Sequence, residues 1–490
     1  MYDLLLINAC IITVDGAHSL YPDGYLATEG DRIAAIGPME ELGGALPQAK
    51  RLIDMSGHAV LPGLVDGHGH AGHCLTKTLG EHLAGNETEF WTVMAEDVYY
   101  RSTDEEFWYA EGALAAAERI KFGTTTGVSM VGSTPRIDWI DPVGANLDGS
   151  TSVGIRQLSG IGSANPPWPK TAKRFYPDGT VTERNVDPNE ALRSTEEALK
   201  AFNGRHPLQT CIVAPGKMGF REGISVEDNV IHNRTMFRLS EEYGVPLHTH
   251  AFGGDVQFLH DTSPEVLTPN LSLTHSTGYS EQELDILADT GAWVFHGPTT
   301  NGHMYGHCRV MEMLEKGIHV AVVTDGTSPD RSFDLWRDMK TAQFLQRFRF
   351  KTRDLLPCGK MLEMVTIEPA KALGIADQVG SLEVGKKADI IAVDVMQPHL
   401  APFGVMPVQR LVYHAMGQDV DWAIVDGKIV MEERRLVLAD EKAIMKRAAD
   451  AFELMMKRLN QPELLDNPDL YGIRQGFTKT QPLKVLPADV

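Results

Sequence analysis

From about His58 to the mid-370s, short apolar runs alternate with amphipathic stretches, the pattern of parallel strands joined by helices. Several units have legible ends. Thr103-Asp-Glu-Glu106 reads as a capping box opening a helix through Ala117 and Ile120; Gly123 ends it and Thr124–Val128 follows as a strand. Asn229 to Tyr243 is helical in pattern, Gly244 stops it, and Val245-Pro-Leu-His-Thr-His250 enters as a strand. Ser280 with Glu283 caps a further helix, Gly291 closes it, and the strand ending at His296 comes next. Met311 to Lys316 repeats the scheme, with Gly317 as breaker and Ile318–Asp325 as strand.

Both flanks differ from this middle. Residues 1–60 read as short strands and turns (Leu4–Val14, Gly24–Glu29, Arg32–Ile36), and residues 381–435 resume that texture with Ala388–Val393 and Val420–Val430, where Asp426-Gly427 signals a hairpin. The expected fold is therefore α/β: a (β/α)₈ TIM-like barrel over 61–380 and a small β-sandwich composed of 1–60 and 381–435. Residues 436–490 are expected to form a helix, from about Asp440 to Leu459, and an irregular tail.

The length of 490 residues suits one large barrel with a satellite. A formal charge of −21 argues against nucleic acid or an anionic membrane as partner, since each calls for a basic surface. The apolar run Leu4–Ile12 is short and has no basic leader, and no stretch approaches the roughly 18 apolar residues of a membrane span. Five scattered cysteines without a CxxC pair argue against a disulfide framework, so a reducing cytoplasm is expected.

The polar residues carry the chemistry. His70, His250, His275, His296 and Asp325 each fall at or just past the C-terminal end of an expected strand, the end that carries the active site in a barrel of this kind. In Leu61-Pro-Gly-Leu-Val-Asp-Gly-His-Gly-His70, His68 and His70 lie two apart and so share a face. Histidine and carboxylate donors suit zinc or a similar divalent ion, and His68, His70 and His250 with Asp325 form a candidate ligand set in which Asp325 also takes a proton from water. His275 is expected to orient the attacking hydroxide or bind the developing oxyanion. His248 shares the face of His250, so the pattern leaves open which of the two is the ligand. Trp91, Trp168 and Phe252 fall on expected mouth loops, suited to stacking on a flat ligand. Trp91, Phe252, His296, Asn301 and His303 are the expected substrate contacts, while His73, His82, His307 and Cys74 lie on the same loops.

These motifs resemble the amidohydrolase superfamily, in the branch of triazine hydrolases, chlorohydrolases and purine or pterin deaminases. The similarity runs almost end to end, through Lys121-Phe-Gly-Thr-Thr-Thr126, Leu273-Thr-His275, His296-Gly-Pro-Thr-Thr-Asn301, Thr324-Asp-Gly326, Glu368-Pro-Ala-Lys-Ala-Leu-Gly374 and Gly380-Ser-Leu-Glu-Val-Gly-Lys-Lys-Ala-Asp-Ile-Ile391. The resemblance implies His68, His70, His250 and Asp325 as metal ligands, with His275 beside the metal. It also implies a glutamate three residues beyond His250, which shuttles a proton to the substrate ring; here that position is Gly253. Asp255 or another histidine would have to substitute, or the reaction needs no shuttle. Relatives with two metals bridge them by a carboxylated lysine, for which Lys217 is the nearest candidate; it falls beyond its strand, so a single divalent ion is expected, zinc first, with iron, manganese, cobalt or nickel as alternatives.

The expected activity is that of a metal-dependent hydrolase whose activated hydroxide attacks an sp² carbon of a small nitrogenous compound, releasing ammonia, amine or halide. The alternatives are an amide, urea or carbamate hydrolase without ring protonation, and an inactive ligand-binding relative. The expected partners are a small-molecule substrate and further copies of the chain, as a homodimer or higher oligomer.

Overall fold

The structure, a computed structural model, describes residues 1–80, 87–132 and 139–465. Eight barrel strands run parallel: β1 (Leu64–Asp66), β2 (Thr124–Val131), β3 (Arg156–Ile161), β4 (Gln209–Val213), β5 (Leu247–Phe252), β6 (Leu271–Thr277), β7 (Trp293–His296) and β8 (Val320–Val322). Each pairs with the next in chain order from β1 to β8. The ring closes through a connecting segment: Val322 N–H donates to the Met364 carbonyl at 2.8 Å and Val65 N–H to the Val365 carbonyl at 2.9 Å. At the mouth, Asp325 N–H donates to the His68 carbonyl at 3.1 Å.

Most of the helix punctuation follows the pattern read from the sequence. Ser280 and Glu283 form the reciprocal capping box, and Gly291 and Gly244 end their helices in the left-handed region. The helix Glu105–Lys121 departs from it: Asp104, not Thr103, is the cap, accepting from Phe107 N–H, because the Thr103 hydroxyl is spent on the Tyr99 carbonyl. The hairpin Lys170–Phe175 with Val181–Val186, just after Asn165-Pro-Pro-Trp-Pro169, was not legible in the pattern.

The second sheet draws five strands from the start of the chain and four from its end. His58–Pro62 pairs antiparallel with Ile390–Asp394, placing Leu61 opposite Ile391 and joining the two ends. Leu6, Ile11, Leu26, Val60, Ile390 and Ile424 share one buried core, so neither end can cover its apolar face alone. This is the small β-sandwich. The chain leaves it after Pro62 and enters the barrel at Leu64. A helix over Glu441–Leu459 packs onto the barrel helix Glu105–Lys121. Among the described residues no helix is long and apolar enough to cross a membrane.

Beneath the mouth lies a buried charge knot. The Asp66 carboxylate accepts from Thr324 N–H at 3.1 Å, from the Thr324 hydroxyl at 2.6 Å and from Arg119 at 3.3 Å. Arg119 also donates to Ser129 and to the Val128 carbonyl, and its guanidinium lies 3.9 Å from the centre of the Phe333 ring. Both ions are fully buried, so removing one strands the other. Arg119→Met is expected to destabilise the fold by about 3–5 kcal/mol, read from denaturant unfolding; a loss below about 1 kcal/mol would show that Asp66 does not need its partner.

Candidate active site and metal centre

His68 and His70 leave β1 on one face and meet His250 from β5 and Asp325 beyond β8. Asp325 Oδ1 lies 3.2 Å from His68 Nε2 and 3.3 Å from His70 Nε2, and His250 Nε2 lies 3.2 Å from His70 Nε2. His275, on β6, joins the same group: donor atoms of His68, His250 and His275 lie within 4.8 Å of one another.

The outer nitrogens fix the tautomers. His70 Nδ1–H donates to the Gly132 carbonyl at 2.8 Å and His250 Nδ1–H to the Gly216 carbonyl at 2.7 Å. Ser272 donates its hydroxyl proton to the Leu247 carbonyl, so its oxygen accepts from His248 Nδ1–H at 2.8 Å; His248 Nε2 then accepts from His68 Nδ1–H, also at 2.8 Å. Each Nε2 of His68, His70 and His250 is thereby left with a bare lone pair. Burial pushes the His68 and His250 imidazoles below their ordinary range, which keeps them neutral.

Two bare nitrogens 3.2 Å apart, with a carboxylate oxygen against one of them, repel unless a cation lies among them. His68 Nε2 is buried and has no hydrogen-bond partner. This donor set fits a divalent ion, three imidazoles and a carboxylate being an ordinary zinc environment. His248 takes no place in it: the strand carries it about 6.6 Å deeper than His250, and its Nε2 is occupied by His68.

Two of these residues hold strained backbone. Asp325 has φ +64° and His275 φ +70°, a region that costs ordinary residues of order 1–3 kcal/mol. The Asp325 turn is held by Gly326 N–H on Oδ1 at 2.7 Å and Thr300 on Oδ2 at 2.9 Å. The His275 carbonyl accepts from the Asn301 amide at 2.9 Å. Its ring stacks between His250 (5.2 Å between centroids) and Phe252 (5.4 Å), with Tyr305 4.4 Å away at its side, and burial drops its pKa to about 3.

A cleft of about 200 Å³ opens over this group. Of the expected contacts, Trp91 and Phe252 line it, joined by His73 from the same loops. The others sit elsewhere. His296 is buried behind the wall against Asn301, and Asn301 reaches the cleft only through the His275 backbone. His303 turns outward to Asp330 at 2.8 Å with nearly half its side chain exposed. His307 and Cys74 are not on the cleft wall, nor is Trp168, which packs with Tyr100 and Ala172; His82 lies outside the described residues. Trp91, His73, His70, His250, His275 and Phe252 form a run of near-parallel rings at successive centroid distances of 5.5, 4.9, 5.2, 5.2 and 5.4 Å. Their faces are covered by one another, so ring edges, with the nitrogens, remain for a ligand.

Tyr305, Asn165 and Lys217 also line the cleft and were not expected as substrate contacts. No periodic signal marks them: Asn165 and Lys217 lie beyond strand ends, and Tyr305 closes a short helical turn, Asn301–Tyr305. Gly253 admits no side chain: a Cβ there would stand 2.3 Å from the Gly278 carbonyl oxygen. Asp255 does not replace the missing glutamate. One of its oxygens accepts from Phe252 N–H at 2.8 Å and the other pairs with Lys217 Nζ at 3.1 Å. That pairing also occupies Lys217, whose backbone bridges to His250.

Known proteins resemble the chain along most of its length. A 5′-deoxyadenosine deaminase of Methanosarcina mazei is 30% identical over 478 residues, covering 94% of this chain and 100% of that protein. A 5-methylthioadenosine/S-adenosylhomocysteine deaminase of Syntrophobacter fumaroxidans is 29% identical over 451 residues, covering 91% and 96%. In fold, an adenosine deaminase from Xanthomonas campestris with bound zinc superposes with TM-score 0.76 at 20% identity, covering 93% and 99%. A mutant of an atrazine chlorohydrolase of Arthrobacter aurescens, in complex with zinc and atraton, gives TM-score 0.76 at 19% identity, covering 92% and 100%. The sequence profile of the amidohydrolase family spans residues 59–430, barrel and flanking strands together, and the chain belongs to that family.

Proposed function

We propose that this hydrolase, which acts on C–N bonds other than peptide bonds, removes an amino group as ammonia from a nitrogen heterocycle, with purine nucleosides as the leading class. The observation that carries the reading is the set of bare Nε2 atoms of His68, His70 and His250 converging on the Asp325 carboxylate at the cleft floor. Relatives named as nucleoside deaminases, aligned over more than 90% of the chain, support the substrate class.

In this reading His68, His70, His250 and Asp325 hold one divalent ion, with zinc the favoured metal because zinc is bound in the similar folds. Bound there, such an ion acidifies water and polarises the carbon under attack. Asp325 keeps an ionised carboxylate in place through Gly326 and Thr300, accepts the proton of the attacking water, and passes it to the departing nitrogen. His275, neutral and stacked between His250 and Phe252, orients that water. The run of rings forms one wall of the cleft and presents its edges to the substrate.

Gly253 favours one second reading, hydrolysis of an exposed amide, urea or carbamate, because no side chain at that position can protonate a ring. Ammonia as the nitrogen product supports deamination; a carboxylate and a larger amine support the second reading.

The protein is expected to carry about one divalent ion per chain, measured by elemental analysis, and His70→Ala to lose it; full metal content in that variant would remove His70 from the ligand set. Asp325→Asn is expected to lower turnover by about 10²–10⁴ or more with the fold retained, and near-normal turnover would sink the proton-transfer role. Gly253→Glu is expected to give no gain in ammonia release and to lower stability by about 1–3 kcal/mol through the clash with Gly278; a marked rate gain would show that an ordinary shuttle fits there.

A further inference from the structure

The cleft contains a charged pair that the reaction above leaves unused. Among the described residues, Lys217 is the one lysine or arginine on the cleft wall. Its side chain is 27% exposed, while its partner Asp255 is 4% exposed. Asp255 is a fixed anchor, because Phe252 N–H holds one of its oxygens at 2.8 Å and Lys217 Nζ lies 3.1 Å from the other. An ammonium carries three donors, so this pairing leaves two.

Asp325 is committed to the histidine group, and position 253 has no side chain. Away from the reacting centre, the charged group that the cleft presents is therefore the partly exposed Lys217 ammonium, in a chain of net charge −21. A ligand that matches it brings acceptors and a negative charge.

We propose that Lys217, pinned by Asp255, is a specificity-determining residue that binds a carboxylate on the part of the substrate remote from the carbon attacked. The inference rests on the deaminase reading for the identity of the reacting part, and on the cleft alone for the charge it selects. The carboxylate would replace solvent at the two free N–H donors of Lys217, with Asp255 keeping the ammonium in position.

The test uses matched pairs of amino-heterocycles: 5′-deoxyadenosine with adenosine 5′-carboxylate, and cytosine with 5-carboxycytosine. Each is titrated calorimetrically into the metal-loaded wild type, Lys217→Arg and Lys217→Met, with ammonia release followed in parallel. The wild type is expected to bind at least one carboxylate member about 10- to 100-fold more tightly than its neutral partner. Lys217→Arg keeps the preference, and Lys217→Met loses it while still binding the neutral compound. No preference in the wild type, or a preference that survives in Lys217→Met, overturns the proposal. Ammonia release without carboxylate preference overturns the Lys217 role and leaves deamination standing. Carboxylate preference without ammonia release from any pair overturns deamination and leaves the carboxylate site. Absence of binding by both pairs overturns both.

Discussion

The active site depends on one buried interaction, the Asp66 carboxylate held between Arg119 and Thr324. β1 and β8 are linked through the backbone of Met364 and Val365, and just above that link the chain must bring His68 and Asp325 together. Asp66 lies two residues before His68 and Thr324 one before Asp325, so a single carboxylate sets the distance between the two sides of the metal centre. Burial alone raises the Asp66 pKa, and the Arg119 charge and the Thr324 hydrogen bonds oppose it. Such a pair contributes little net stability against the water it has lost; its effect is to fix one geometry.

That geometry bears strain. Asp325 and His275 both occupy left-handed backbone, and each is held there by hydrogen bonds from neighbours: Gly326 and Thr300 for the first, Asn301 for the second. The relay from Ser272 through His248 to His68 does the same for protons, since it orients one lone pair toward the centre without exposing any group to solvent. Histidine, carboxylate and backbone are thus set before any ligand arrives, which spares the reaction the reorganisation that water would require. Gly253 is part of the same economy of space: β5 and β6 approach so closely at Gly278 that a carboxylate shuttle has no room, and the nearby charge is the Lys217–Asp255 pair instead.

Much of this was legible in the chain. Alternation of apolar strands with helices ended by Gly244 and Gly291, and the strand-end positions of His70, His250, His275 and Asp325, depend on local periodicity and backbone sterics, which a linear sequence records. The hairpin at Asp426-Gly427, with both residues at positive φ, was readable for the same reason. Thr103 as a cap was misread because the competing acceptor, the Tyr99 carbonyl, belongs to the preceding turn.

By itself, then, the sequence determined the barrel, the sheet shared by the two chain ends, and the face on which the reactive side chains gather. Only the tertiary structure set His248 against His68 and His250 against His70, turned His303 outward to Asp330, set Tyr305 against His275, and tied Asp255 to Lys217. Each of those outcomes rests on depth within the barrel or on a partner from another loop. Strand periodicity assigns a residue to a face, whereas its depth along that face and the neighbour it meets are fixed when the eight strands close around one core.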